Sequence, residues 1–227
     1  CQAYVPFDTP PRACGSYDEL INSEDIDALY MPLPTGVRKS LVIRAAEAGK
    51  HVVCEKPCGV STEDVVEMIS ACESNNVQFM DGVMFMHSAR LATMRQVLDD
   101  GESIGSIRRI VSHFTTPADD EWLQTNIRTN SDMEPYGCLG DLGWYTIRFS
   151  LWAMKERLPE QVTGRVLSEI HREGSPRPTP TEFSGELVFA NGVSAGFYCS
   201  FLARSQLWAT VGGPKGYLFL HDFVVPF

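Results

Sequence analysis

Three short apolar runs limit how this chain can fold: residues 28–31 (ALYM), 52–54 (VVC) and 77–80 (VQFM). The stretches between them carry apolar residues at helical spacing, Val37, Leu41, Ala45 and Ala48 in the first and Val65, Val66, Ile69 and Cys72 in the second. The punctuation agrees with that division. Pro32 and Pro34 end the first run, Thr35 can cap the first helix, and Gly49 closes it in the left-handed conformation glycine tolerates. Ser61, with Asp64 in the first turn, opens the second helix, and Asn75-Asn76 turns the chain into the third run. Strand, helix, strand, helix, strand with short links is the pattern of parallel βαβ units. Upstream, residues 1–14 read as a loop, and Ser16 with Glu19 forms a capping box for a short helix over 16–22. The run 52–54 reads as a fully buried strand. It delivers Glu55, Lys56 and Pro57 to its carboxyl end, where ligands bind in open α/β sheets.

From about residue 86 the pattern changes. A helix over 88–98 leads to a strand over 108–114, a polar irregular run over 115–135 and a helix over 139–154. Strands are then expected over 162–170, 182–190, 193–201, 207–211 and 217–223, with a hairpin at Ala190-Asn191-Gly192-Val193, a turn at Gly212-Gly213 and a plain loop at 174–180. This half is therefore expected to be a mainly antiparallel sheet with helices on one face. Leu187, Phe189, Phe197, Tyr198, Phe201, Leu207 and Trp208 are too apolar together for a free surface. One face is expected against the helices and the other against a second subunit.

Charge and cysteine usage exclude several functions. A net charge of −10 with a pI near 4.9 argues against nucleic acid as a partner. No apolar run approaches the ~18 residues a membrane helix needs, and the opening Cys1-Gln-Ala-Tyr4 lacks the basic-then-apolar pattern of a secretory signal. The seven cysteines are odd in number and scattered, which reads as a reducing, cytoplasmic setting. Cys54 and Cys58 stand four apart with no second pair to complete a zinc site, so no metal is expected.

The segments DIDALYMPLP, AAEAGKHVVCEKP and GCLGDLGWY, in that order, resemble the Gfo/Idh/MocA oxidoreductases (glucose–fructose oxidoreductase, inositol dehydrogenase). That family's signature is a strand ending in Glu-Lys-Pro followed later by Asp-x-Gly-x-His or Asp-x-Gly-x-Tyr. The DGVMFMH and GDLGWYTIR segments are similar to the plant-type, dimeric dihydrodiol dehydrogenase and NADP-xylose dehydrogenase-like branch, and the resemblance runs from about Tyr17 to the final DFVVPF. It implies a Rossmann-like parallel sheet, of which residues 1–86 are the C-terminal part, followed by a substrate and oligomerisation domain over 87–227. It also implies hydride transfer between a nicotinamide cofactor and the hydroxyl carbon of a sugar, polyol or dihydrodiol-like substrate. The branch favours NADP, with NAD as the alternative, and the antiparallel sheet is where such subunits pair. A family member that binds cofactor without turnover is the rival reading. No Gly-x-Gly-x-x-Gly occurs, no methionine opens the chain, and three parallel strands fall short of the about six of a complete dinucleotide fold. The sequence is therefore expected to be a piece lacking the glycine-rich motif and part of the C-terminus, and inactive alone.

The resemblance also assigns residues. Lys56, Tyr145 and Asp141 take the catalytic places, and Tyr30, Pro32, Leu33, Thr35, Glu55, Lys56 and His87 the cofactor places. Lys56, Arg128 and Tyr145 face the substrate, with Asn126 beside its mouth. Thr35 and Arg38 stand where many members carry Asn and His. In a helix Asp141 and Tyr145, four apart, face the same way, while Gly140 and Gly143 let a neighbour approach. A phenol of pKa ~10 is a poor base at neutral pH; Lys56 beside Tyr145 is expected to lower that value, with Asp141 orienting the tyrosine. Each residue has a plainer reading too. Lys56 and Arg128 are solvated loop residues, Tyr145 is a core anchor, Thr35 a helix cap, Glu55 the local partner of Lys56, and His87 a packed structural histidine.

Overall fold

In the computed structural model, which describes residues 11–225, β1 (Ala28–Met31), β2 (His51–Cys54) and β3 (Phe79–Asp81) form a parallel sheet in the order β1-β2-β3. Residues 1–10 of the expected N-terminal loop lie outside the described residues, and 11–14 have no regular structure. The short helix α1 (Tyr17–Ile21) is capped by Ser16, whose hydroxyl accepts from the Glu19 amide; the Glu19 carboxylate accepts from the Gly15 amide instead of closing on Ser16.

Helices α2 (Thr35–Glu47) and α3 (Thr62–Ser74) cover one sheet face. Their buried stripes are rotated from the expected ones. α2 buries Arg38, Val42, Ala45 and Ala46 and leaves Val37 42% exposed, because the short alanines let it lie close on Leu29, Met31, Val52 and Cys54. α3 buries Met68 and Cys72, while Val66 is exposed. β2 is not wholly buried either. Val52 and Cys54 face the helices, whereas Val53 on the other face is half-buried and His51 exposed. β3 starts at Phe79 because the Val77 amide closes α3 on the Cys72 carbonyl.

After a 3₁₀ turn (Met84–His87), α4 (Arg90–Asp99) and α6 (Trp144–Ala153) pack on one face of a six-stranded sheet. Its strands are β4 (Arg109–Thr115), β5 (Gln161–Ile170), β6 (Thr179–Val188), β7 (Ser194–Ser200), β8 (Ala209–Gly212) and β9 (Tyr217–Leu220). They run in the order β5-β6-β7-β4-β8-β9, antiparallel except for the pair β4–β7. Asn191 and Gly192 close the β6–β7 hairpin with φ of 63° and 73°.

Two expectations fail in this half, and a third holds with a change of helical geometry. The run 115–135 is not irregular throughout. Asp119 caps α5 (Asp120–Thr125), and Trp122 anchors that helix edge-on against Phe201, centroids 5.0 Å apart. β6 begins inside the supposed loop, since Ile170↔Thr179 and Glu169↔Pro180 pair with β5; β7 extends only to the register of Glu182, so the N–H missing from Pro180 costs no ladder bond. The helix over 139–154 opens with a π turn (Leu139–Gly143) before α6. Leu187, Phe189, Phe197 and Phe201 are buried, and Leu207 packs with them in the interior. The outer sheet face instead carries Tyr198, Trp208, His113 and Phe219, with His113 stacked on Trp208 at 4.2 Å. Among the described residues no helix is long and apolar enough to cross a membrane.

Candidate active site

All three parallel strands end at one edge. β1 runs into Pro32-Leu33-Pro34, β2 into Glu55-Lys56-Pro57 and β3 into Gly82. The π turn and a 3₁₀ turn (Ile127–Thr129) face that edge from the second half. Between them lies a crevice of about 240 Å³, with Tyr30, Leu33 and Glu55 on one wall, Arg128, Glu134 and Asp141 on the other, and Lys56 reaching across. A larger groove of about 540 Å³ between α3 and α6 is lined by Val65, Val66, Leu139, Trp144 and Ile147 with no charged side chain, so the smaller crevice holds the groups able to do chemistry.

Lys56 is held at both ends. Its backbone lies between two carbonyls, Glu55 and Pro57, that accept from the Arg38 guanidinium, which also reaches the Leu33 carbonyl. Its Nζ donates to Asp141 Oδ1 at 2.5 Å and to the Asp141 carbonyl at 2.7 Å. An ammonium has three N–H bonds, so one remains for a ligand. Asp141 Oδ2 meanwhile holds Arg128 Nε at 2.7 Å. One carboxylate thus serves two cations, and Arg38, Glu55 and Glu134 complete a crevice lining of three cations and three carboxylates. The side chains of Lys56 and Asp141 are only 11% and 15% exposed, so screening there is weak. π turns are frequent where a helix carries function. Here the turn is set close to Pro57: a Cβ added to Gly140 would stand 3.9 Å from the proline Cγ.

Tyr145 opens α6 beneath this pair. Its ring is 7% exposed, 5.4 Å from Phe114 and 6.2 Å from Phe85. The Lys56 ammonium lies 4.7 Å from the ring centroid, over its face. Burial, then the Asp141 and Glu55 carboxylates, push the phenol well above its ordinary value. The expected lowering by Lys56 does not occur: burial of the phenol outweighs it, and the Asp141 carboxylate beside the ammonium pushes the same way. Asp141 orients Lys56 and Arg128, not Tyr145, and the Tyr145 hydroxyl has no hydrogen-bond partner among the described residues.

Of the residues expected at a cofactor, Glu55 accepts from the Tyr30 hydroxyl at 2.7 Å, and its other oxygen accepts from the Lys56 amide at 3.2 Å. Its partner is therefore Tyr30, not the Lys56 ammonium. Pro32 is exposed on the crevice wall, and Leu33 stands beside it. Thr35 is not a cap; it is the first residue of α2 and is buried under Glu134. His87 ends the 3₁₀ turn exposed and outside the crevice lining, so it is not a packed histidine. Asn126 caps the turn that carries Arg128, accepting from its amide at 3.0 Å. Among the described residues no group of three or more His, Cys, Asp or Glu side chains could hold a metal ion.

Sequence reasoning missed Arg38 as a structural element. It is 2% exposed, and its two terminal nitrogens donate to carbonyls rather than to a carboxylate, while Nε has no partner among the described residues. Its spacing from Val42 and Ala45, four and seven residues, was the available signal. Arg38→Met strands three carbonyls, each formerly bonded to a charge. It is expected to lower stability by about 3 kcal/mol or more, read by thermal melting; a change below about 0.5 kcal/mol, the size of a neutral surface substitution, would show that the loops hold themselves.

Comparison with known proteins accords with this geometry. The family model described as oxidoreductase family, NAD-binding Rossmann fold matches residues 5–83, and that described as GFO/IDH/MocA C-terminal domain matches residues 91–219. Trans-1,2-dihydrobenzene-1,2-diol dehydrogenase of Mus musculus is 29% identical over 211 residues, 91% of this chain and 58% of the relative. A dTDP-3,4-didehydro-2,6-dideoxy-alpha-D-glucose 3-reductase of Saccharopolyspora spinosa is 33% identical over 201 residues, 88% of this chain and 58% of the relative. Among solved structures, aldose-aldose oxidoreductase from Caulobacter crescentus complexed with glycerol superposes with a TM-score of 0.79 at 25% identity, covering 92% of this chain and 60% of that one. A 3-ketoreductase from Actinomadura kijaniata with NADP and TDP-benzene gives the same TM-score and identity over 93% and 62%. The chain thus spans somewhat under two thirds of the relatives it matches. With one family model on each half, it belongs to the Gfo/Idh/MocA family of oxidoreductases.

Proposed function

We propose that the natural protein is an NAD(P)-dependent oxidoreductase acting on a CH–OH group, or its carbonyl form, of a sugar, polyol or dihydrodiol-like compound. The observation that carries this is the Lys56–Asp141–Arg128 cluster set over a buried, protonated Tyr145 at the carboxyl ends of parallel strands. Lys56 and Tyr145 converge on one substrate oxygen. The third N–H of Lys56 bonds that oxygen, and the Tyr145 hydroxyl gives it a proton in the reductive direction. Asp141 fixes Lys56, and Arg128 binds a second polar group of the substrate.

The crevice fits the nicotinamide-ribose half of a dinucleotide. Glu55 offers two acceptor oxygens at a strand end, and Tyr30, Pro32 and Leu33 make a flat wall. The cofactor supplies or removes the hydride. We assign no cofactor contact to Thr35, whose amide and hydroxyl are taken up by Glu134, or to His87, which stands outside the crevice lining; NADP is favoured over NAD. We divide the chain at residue 86 into the end of a dinucleotide-binding domain (1–86) and a substrate and oligomerisation domain (87–227). Cytoplasmic residence accords with six free cysteines among the described residues.

The test is to offer the natural protein sugars, polyols and trans-dihydrodiols with NADP or NAD, following the reduced-nicotinamide absorbance and tryptophan fluorescence together. Turnover with any of them is expected. A fluorescence response without absorbance change would favour a binding protein instead. The outer sheet face with Tyr198, Trp208, His113 and Phe219 is proposed as the contact between two copies. Sedimentation at micromolar concentration is expected to show a dimer or larger, and a monomer alone would reject that contact.

A further inference from the structure

The first turn of a helix leaves backbone N–H groups without partners inside the helix. In α2 the flanking residue is Pro34, which has no side-chain oxygen to offer. The missing acceptors come from the far side of the crevice, about a hundred residues later. Glu134 Oε1 accepts from the Thr35 amide at 2.9 Å, and Glu134 Oε2 from the Thr35 hydroxyl at 2.7 Å. The Met133 carbonyl accepts from the Gly36 amide at 2.8 Å. A carboxylate at this end of the helix also meets the positive pole of the helix dipole.

The fit is close and the clasping loop is stiff. A Cβ at Gly36 would stand 1.9 Å from the Asp132 carbonyl oxygen. Asn130 Oδ1 accepts from the amides of Asp132 (2.9 Å) and Met133 (3.3 Å), while its carbonyl accepts from the Glu134 amide (2.8 Å). Thr35 is 3% exposed, so its two bonds to the half-buried Glu134 are partly sheltered from water, while Gly36 is exposed. Seven residues after Glu134 comes Asp141. On the other side, α2 carries Arg38, which holds the carbonyls flanking Lys56. The clasp therefore joins the support of Lys56 to the turn that carries its partner.

We infer that Glu134 is a positioning residue: by capping α2 from across the crevice it holds the two walls in register, so that Lys56 Nζ meets Asp141. This rests on the reading of Lys56 and Asp141 as part of the reacting site. Glu134 acts through that pair and is not itself a catalytic residue.

The experiment uses the natural protein and two variants, Glu134→Ala and Glu134→Gln, with amide hydrogen exchange and steady-state kinetics on the same preparations. In Glu134→Ala, exchange is expected to quicken at least tenfold both at residues 35–37 and at the distant turn 139–143. kcat is expected to fall about tenfold with cofactor KM changed far less. Glu134→Gln keeps an oxygen for the Thr35 amide and an N–H for its hydroxyl, so it is expected to stay within threefold on every readout. Quickened exchange confined to 35–37 with kcat unchanged would overturn the inference and leave Glu134 a local cap. Gly36→Ala, which drives a Cβ into the clasp, should reproduce the Glu134→Ala exchange pattern; protection of 139–143 retained in both variants would also overturn it. A Lys56→Met control keeps the two questions apart. Unchanged turnover there would reject the catalytic reading, whatever the exchange pattern shows about the clasp.

Discussion

Lys56→Met in the natural protein is expected to lower turnover by about 10²–10³, the usual cost of removing one preorganised donor to a reacting oxygen. Methionine keeps much of the length and apolar stem, so the loss isolates the ammonium. In the proposed mechanism that group gives its third N–H to the substrate oxygen, the other two being held by Asp141. The stability cost is expected to be smaller than for a wholly buried pair, about 1–3 kcal/mol, because Asp141 keeps Arg128. Asp141→Asn makes the complementary measurement. It retains one acceptor for Lys56 but removes the charge that fixes both cations, so a loss milder than that of Lys56→Met is expected. kcat and melting temperature taken on the same sample decide the matter. If Lys56→Met keeps full turnover per folded molecule, Lys56 has no part in the chemistry.

The parallel half was legible because its signals are local. Proline, glycine and asparagine punctuation bounded β1, α2, β2 and α3 to within a few residues, and the hairpin at Asn191-Gly192 was plain for the same reason. What failed was the centre of each buried stripe. In α2, Leu41, Ala45 and Ala48 pack into the core as expected, but Val37 is exposed and the most buried positions are Arg38, Val42, Ala45 and Ala46, which hydrophobicity alone does not choose. Arg38 is buried in α2 because carbonyls of two separate loops converge on it, which no local pattern announces. The missed helix α5 had its signal in Asp119-Asp120-Glu121 before Trp122, an acidic first turn under an N-cap, obscured by the polarity around it.

At the site the residue types were legible and their pairing was not. Lys56, Asp141, Arg128 and Tyr145 do converge. The sequence suggested that Asp141 serves Tyr145, since four residues span one helical turn. The turn is a π turn, and its acid instead meets cations arriving from residues 56 and 128. Glu134 had no signal at all, for nothing in a sequence says that a carboxylate will cap a helix about a hundred residues earlier.

Tyr145→Phe separates chemistry from packing more cleanly than any other substitution here. Turnover is expected to fall by about 10²–10⁴, the range of general acid–base contributions. Stability near neutral pH is expected to change by less than about 0.5 kcal/mol, because phenylalanine keeps the ring contacts with Phe85 and Phe114 and the lost hydroxyl had no bonded partner. A core anchor predicts the reverse: a lower melting temperature, with activity falling only as the folded fraction falls. The raised phenol pKa adds a second readout. A phenol that titrates higher when folded contributes stability that is fully present below the unfolded value of ~10 and is lost as pH rises from there through the folded value. The natural protein should therefore weaken on passing into that alkaline window by a term that Tyr145→Phe lacks, and reductive activity should hold level through neutral pH because the proton to be donated is already in place. Combined with Lys56→Met, the double variant should be little worse than the poorer single, since in the proposed mechanism both groups act on one oxygen. Additive losses would mean that they act apart, and full activity per folded Tyr145→Phe molecule would move the proton donor elsewhere.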